Sequence, residues 1–128
     1  RTRRRPCRLD DDDREVAMKS FAMALNLKDD PQAVETYKER HRAVWPDVLE
    51  GLRGIGISKM KIFLLGRRLF MYFEAGDDFD PDRDFQKYQD TERAREWDAL
   101  MRGFQEQVEE AEPGAWWAPM EEVFDLER

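Results

Sequence analysis

The chain has 128 residues, enough for one hydrophobic core and too few for two. Its 29 acidic and 22 basic residues give a net charge of -7, which argues against nucleic acid or an anionic membrane as partner. The only cysteine, Cys7, permits neither an intrachain disulfide nor a cysteine-based metal site, and a reducing, cytoplasmic location is predicted.

The chain begins with an arginine-rich stretch that runs directly into four aspartates, RTRRRPCRLDDDD. Apolar periodicity is absent from this stretch. We therefore expect residues 1–16 to form a flexible charged leader and residues 17–128 to form one folded domain. No apolar run approaches the roughly 18 residues that a membrane-spanning helix needs, so no membrane association is predicted.

The first predicted element is a strand, because every second residue from Phe21 to Leu27 is apolar. An Asp-Pro pair at positions 30–31 then predicts the start of a helix, with the aspartate as N-cap and the proline in the first turn. Apolar residues at helical spacing continue to Gly54. Pro46 lies inside that run and is predicted to bend the helix or split it in two.

The second half of the chain repeats the pattern after a hairpin. Residues 57–76 hold two alternating apolar runs joined by Gly66-Arg67, a pair suited to a type II′ turn. A second Asp-Pro pair at 80–81 begins a long amphipathic helical element that is predicted to reach Val108, with a break near Asp90-Thr91. Alternation from Met120 to Leu126 predicts a fourth strand.

This βαββαβ order predicts a ferredoxin-like α+β fold, a four-stranded antiparallel sheet with its helices on one face. Both faces of the two hairpin strands are largely apolar, so the face without helices should be a partner surface. We therefore predict a homodimer packed sheet to sheet, with a site between sheet and helices or between the two sheets.

The segment YKERHRAVWPD contains the only histidine, His41, four residues after Tyr37 and four before Trp45. On a helix this spacing places the three side chains on one face. An imidazole can both give and take protons near neutral pH. A lone histidine is nevertheless more often structural, so spacing alone favours a packing role over a catalytic one.

Tryptophans form a second candidate group, comprising Trp97 in the second helical element and the pair Trp116-Trp117. An indole ring can cover the C–H face of a sugar while its N–H donates to a hydroxyl. The alternative is packing in the core or at a dimer interface. Two adjacent rings cannot both face inward on a strand, so Trp116 or Trp117 should have another role.

Two carboxylates stand out from a mostly solvated set. Glu96 is next to Trp97, and Glu74 lies among apolar strand residues. Either could take a second proton beside an imidazole. One histidine and no usable cysteine leave only oxygen ligands, and no loop has calcium-binding spacing, so neither metal nor cofactor is predicted.

The stretch FAMALNLKDDPQAVETYKERHRAVWPDVLEGLRGIGISKMKIFL resembles the start of the L-rhamnose mutarotase family, in which a strand precedes a helix with Tyr-x3-His and then Trp-Pro. The ending WWAPMEEVFDL is similar to the last strand of that family, so the resemblance runs from about Lys19 to Leu126. It implies a dimeric ferredoxin-like α+β barrel protein. It also implies an isomerase that interconverts the α and β anomers of a 6-deoxy-hexose without a cofactor.

The resemblance assigns residue roles. It implies that His41 is the general acid and that Tyr37 binds the sugar. The family's sugar-contacting tyrosine on the second strand corresponds to Met60 here, and its Trp-Trp pair corresponds to Glu96-Trp97. The predicted substrate-binding residues are Tyr37, Met60, Glu96, Trp97, Trp116 and Trp117.

Met60 and Glu96 both occupy positions that would contact sugar hydroxyls, so the resemblance leaves the identity of the sugar open. The version MKIFLLGRRLFMYFE together with WWAPM resembles a branch of the family linked to L-fucose, which slightly favours L-fucose over L-rhamnose. Two other functions remain alternatives: a non-catalytic small-molecule-binding or regulatory module, and an oxygenase-like member of the wider dimeric α+β barrel fold.

Overall fold

The structure, a computed structural model, describes residues 18–127. The predicted leader, residues 1–16, lies outside the described residues. The elements in chain order are β1 (Met18–Leu27), α1 (Pro31–Arg40), α2 (Pro46–Gly54), β2 (Ile57–Leu65), β3 (Arg68–Gly76), α3 (Pro81–Tyr88), α4 (Glu92–Arg102), β4 (Gln105–Glu106) and β5 (Ala118–Pro119).

The strands form one antiparallel sheet in the order β2-β3-β1-β4, and β5 also pairs with β1. The long hairpin β2–β3 closes at Gly66-Arg67, where Leu65 pairs with Arg68. Gly66 has a φ of 62°, a left-handed conformation that glycine adopts without steric cost. This strand order, with four helices in the same chain, confirms the predicted ferredoxin-like α+β fold.

Both predicted helical breaks are present. α1 ends at Arg40 and α2 begins with Pro46, while α3 and α4 are separated between Tyr88 and Glu92. Asp30, Asp80 and Thr91 cap α1, α3 and α4, because each side chain accepts a hydrogen bond from a backbone N–H of the first turn. The last helix ends at Arg102, so the prediction that it reaches Val108 is wrong. None of the described helices is long and apolar enough to cross a membrane.

The predicted fourth strand from Met120 to Leu126 is also wrong. The short strands β4 and β5 occupy the sheet edge instead, and pairing along this segment stops where Met120 N–H donates to the Ala22 carbonyl at 2.8 Å. Val123 is 87% exposed and Phe124 is 75% exposed. An alternating pattern produces a strand only where a sheet edge accepts it, and within residues 18–127 no edge pairs with this segment.

The core lies between the sheet and the helices and has two parts. One surrounds Phe73, which is fully buried and contacts the rings of Phe21, Phe79 and Phe85. The other joins β1 and β3 to the helices and includes Leu25, Leu27, Leu69, Tyr37, Val48, Tyr88, Ala94, Trp97 and Met101. Side chains from four helices and two strands thus pack together, which fixes the helices on the sheet.

We expect Leu25→Ala to lower the free energy of unfolding by about 2–5 kcal/mol, because Leu25 is 0% exposed and its removal leaves a cavity. Leu49→Ala, at a position on α2 that is 38% exposed, should cost clearly less. Urea unfolding of both variants measures the difference. Equal losses would show that Leu25 does not anchor the helices on the sheet.

Candidate active site

A cleft of about 2000 Å³ is lined by residues of the sheet, the helices and the C-terminal segment. Seven of the residues that the sequence singled out line it, namely Tyr37, His41, Met60, Glu74, Trp97, Trp116 and Trp117. They come from α1, the turn after it, β2, β3, α4 and the loop before β5. Distant parts of the sequence therefore converge on one cavity, as in small-molecule sites.

His41 is the C-cap of α1, and its ring is held by the helix end. Nδ1 lies 2.9 Å from the Tyr37 carbonyl oxygen. Because a carbonyl oxygen can only accept, Nδ1 must carry the hydrogen. The neutral ring therefore keeps its lone pair on Nε2, so Nε2 is the nitrogen that can take up a further proton.

Aromatic rings surround the imidazole on two sides. The Tyr37 ring centroid lies 4.2 Å from that of His41, and the Trp97 ring approaches edge-on at 5.5 Å. The spacing predicted that Trp45 continues the helix face of His41. It does not, because Trp45 is the N-cap of α2. It packs against Trp97 at 5.1 Å, with the Arg93 guanidinium 3.8 Å from its ring centroid.

Burial sets the protonation states of the two central groups. It lowers the pKa of His41 below 6.5, and the Tyr37 carbonyl opposes that shift by accepting the Nδ1 hydrogen bond. Burial also raises the pKa of Tyr37 to about 12, against a hydrogen bond from Gln105 that lowers it. At neutral pH His41 is therefore a neutral base, and Tyr37 keeps its hydroxyl proton.

The two carboxylates that the sequence singled out have other partners than His41. Glu96 is exposed on α4, does not line the cleft, and pairs with Arg93 at 3.0 Å. Glu74 does line the cleft, but it accepts a 2.5 Å hydrogen bond from the Tyr72 hydroxyl, and both residues project from the sheet face opposite the buried Phe73. The structure thus brings neither carboxylate to His41, and the predicted role of Glu96 stays a prediction.

Sequence reasoning missed three polar residues near the site. Asp98 and Gln89 line the cleft, and Asp98 accepts a hydrogen bond from the Gln89 amide. Gln105 is buried beside Tyr37. Asp98 could have been found, because it lies four residues after Ala94 and three before Met101, both buried on α4. Gln105 belongs to β4, which no pattern in the sequence predicts.

Several acidic side chains line the cleft, among them Glu74, Asp82, Asp98 and Glu112. Among residues 18–127 there is nevertheless no group of three or more histidine, cysteine, aspartate or glutamate side chains placed to hold a metal ion. The polar groups that the cleft offers to a ligand include an imidazole, phenols, amides, indoles, carboxylates and basic side chains such as Arg102.

Comparison with known proteins agrees with this geometry. The sequence matches the L-rhamnose mutarotase family over residues 20–126. The chain belongs to this family. It is thus a member of a family of isomerases that act on sugar anomers.

Individual relatives cover most of the chain. A UPF0734 protein of Dictyostelium discoideum is 54% identical over 113 residues, which are 85% of this chain and 90% of that protein. An L-fucose mutarotase of Xanthomonas campestris is 33% identical over 113 residues, 87% of this chain and 90% of that protein. The crystal structure of an L-rhamnose mutarotase from Formosa agariphila shares the fold, with a TM-score of 0.63 and 22% identity over 84% of this chain and 98% of that chain.

We expect the Hε1 resonance of His41 to titrate with a midpoint below 6.5, because burial disfavours the charged imidazolium. Since His41 is the only histidine, its proton NMR signal needs no mutant for assignment. The unfolded chain binds this proton at a higher pH than the folded chain, so stability should fall as the pH drops below about 6.5. A midpoint at or above 6.5 would show that the imidazole is solvated.

Proposed function

We propose that this chain interconverts the α and β anomers of a 6-deoxy-hexose, with His41 as the group that moves the proton. The observation that carries this proposal is the Nδ1 hydrogen bond to the Tyr37 carbonyl, which leaves Nε2 as the only basic atom of the ring. A single titratable group of this kind is sufficient for the reaction. It needs no electron transfer and no second substrate.

The chemistry is a proton transfer between two oxygens that share one carbon. Nε2 of neutral His41 takes the proton of the anomeric hydroxyl, and the resulting imidazolium returns it to the ring oxygen as the C1–O5 bond breaks. The open-chain aldehyde then rotates about its C1–C2 bond. Reversal of the same steps closes the ring on the other face, and His41 ends in its starting protonation state.

The surrounding residues bind the sugar. Tyr37 keeps its proton at neutral pH and can donate to a ring substituent, while Trp97, Trp116 and Trp117 offer rings for the apolar faces of the sugar. The thioether of Met60 makes only weak hydrogen bonds and suits the 6-methyl group better than a hydroxyl. L-fucose and L-rhamnose both carry that methyl group, and the resemblance of the hairpin to the fucose branch favours L-fucose.

We expect His41→Gln to slow catalysed anomer exchange by about 10²–10⁴-fold, because glutamine can hydrogen-bond but cannot move a proton. Exchange NMR between the α and β anomeric protons of L-fucose and of L-rhamnose measures the rate directly. Arg42→Gln is the matched control. Arg42 is exposed, pairs with Glu39 at 3.2 Å and does not line the cleft, so its loss should leave exchange unchanged.

The main alternative is a module that binds a small molecule without catalysis. It predicts that wild-type protein accelerates neither sugar above the buffer rate, although ligand resonances still broaden on binding. Acceleration that persists in His41→Gln would instead show that another group transfers the proton. The lone cysteine, Cys7, supports a cytoplasmic setting for the proposed reaction.

The proposed functional unit is a homodimer. On the sheet face opposite the helices, Phe63 stacks on Phe70 at 5.9 Å and is still 53% exposed, and Leu65 is 82% exposed. Val123, Phe124 and Leu126 add further exposed apolar surface. The cleft also exceeds the ~300–1,000 Å³ typical of small-molecule sites, which fits closure by a second copy. Continuous apolar surface of this kind favours a protein partner.

We expect wild-type protein to be dimeric at micromolar concentration and Phe63→Glu to be monomeric, because the variant places a charge on the proposed contact face. Ala99→Glu adds the same charge to an exposed position on α4 and should remain dimeric. Sedimentation velocity of the three proteins distinguishes these states. Wild-type monomers across the concentration range would contradict the dimer, as would dissociation by Ala99→Glu.

A further inference from the structure

Asp98 is the one carboxylate of α4 that turns toward the cleft. It follows Trp97, whose ring contacts His41, and it is half-buried on the cleft wall. Gln89, the C-cap of α3, lies on the same wall and donates its side-chain amide to Asp98 Oδ2. The pair therefore lines the same cleft as His41 and Trp97.

The carboxylate has acceptor capacity left over. An ionised carboxyl group can accept about four hydrogen bonds. Among the residues that the structure describes, Gln89 is the one side chain that donates to Asp98. Burial raises the pKa of Asp98, with Gln89 and Arg102 opposing the shift, so the group sits in a poorly solvated position where an added donor stabilises its charged form.

A purely structural role does not account for the pair. The α3–α4 junction is already held by Arg95, whose guanidinium donates to the Gln89 backbone carbonyl at 2.7 Å, and by the Thr91 cap of α4. Neither contact uses the Gln89 side chain. Partial burial removes water from the Asp98 carboxylate, and one hydrogen bond does not fully offset that loss of hydration. A ligand that supplies further donors would offset it.

We propose that Asp98 and Gln89 form a second subsite that binds sugar hydroxyls away from the reacting carbon and distinguishes between hexose configurations. Its ligand class rests on the mutarotase function proposed above. Asp98 accepts from a hydroxyl through its unused lone pairs, and the Gln89 amide oxygen accepts from a neighbouring hydroxyl. L-fucose and L-rhamnose differ in the configuration of their ring hydroxyls, so the pair should not bind them equally.

Binding is tested with methyl α-L-fucopyranoside and methyl α-L-rhamnopyranoside, whose blocked anomeric oxygen prevents ring opening. We expect Asp98→Asn to weaken the preferred glycoside by about tenfold to a hundredfold, as for loss of a hydrogen bond to a charged group. Glu92→Gln, an exposed carboxylate of the same helix outside the cleft, should bind both glycosides like wild type. For the free sugar, Asp98→Asn should raise KM far more than it lowers kcat.

Every outcome decides the proposal. Binding within twofold of wild type in folded Asp98→Asn overturns it, and so does failure of the wild-type protein to bind either glycoside. If Asp98→Asn does not fold, Gln89→Met replaces it, and unchanged affinity there overturns the subsite. Weaker binding in Glu96→Gln but not in Asp98→Asn would assign the role to Glu96 and also overturn it. If wild-type protein binds a glycoside but accelerates no anomer exchange, and Asp98→Asn loses that binding, the subsite is supported while the proposed reaction fails.

Discussion

The hydrogen bond between His41 Nδ1 and the Tyr37 carbonyl is the contact on which the site depends. α1 ends at Arg40 and places His41 at the C-cap, where the Tyr37 carbonyl accepts both the His41 backbone N–H at 3.2 Å and Nδ1 at 2.9 Å. This carbonyl holds the imidazole ring and selects its tautomer. The same helix end thus orients Nε2 and sets which proton His41 can take.

Pro46 makes that helix end possible. A continuous helix through residues 31–54 would carry Trp45 along the same face as Tyr37 and His41. Instead Trp45 begins α2 and packs on Trp97, and Trp97 in turn contacts the histidine ring. Two helices and a break therefore supply what one helix could not, namely a fixed imidazole with aromatic walls from separate elements.

Several features of the fold could be predicted from local chemistry. Asp-Pro pairs predicted both helix starts, Pro46 the split after α1, and Gly66 the hairpin, because each acts through its own backbone conformation. The absence of a strand at residues 120–126 could not be predicted in this way. Whether an alternating segment becomes a strand depends on a free sheet edge, which is a property of the whole assembly.

The residues of the candidate site divide in the same way, into those that local sequence marks and those that only the packing identifies. His41, Tyr37 and Trp97 could be found because helical spacing or the family resemblance marked them, and they do contact one another. Glu96 and Asp98 are two residues apart on one helix, and their opposite environments depend on how α4 rotates against the sheet. Helical spacing to Ala94 and Met101 favours Asp98 over Glu96, but only the packing of α4 against the core shows that this face is buried.

In the proposed reaction, the proton that moves is the one that His41 Nε2 takes up and returns. The decisive measurement is the pH dependence of kcat/KM for anomer exchange, in the same buffer as the His41 NMR titration. We expect kcat/KM to rise with pH through the same midpoint, below 6.5, at which His41 loses its proton. A kcat/KM that stays flat across that midpoint would show that another group moves the proton.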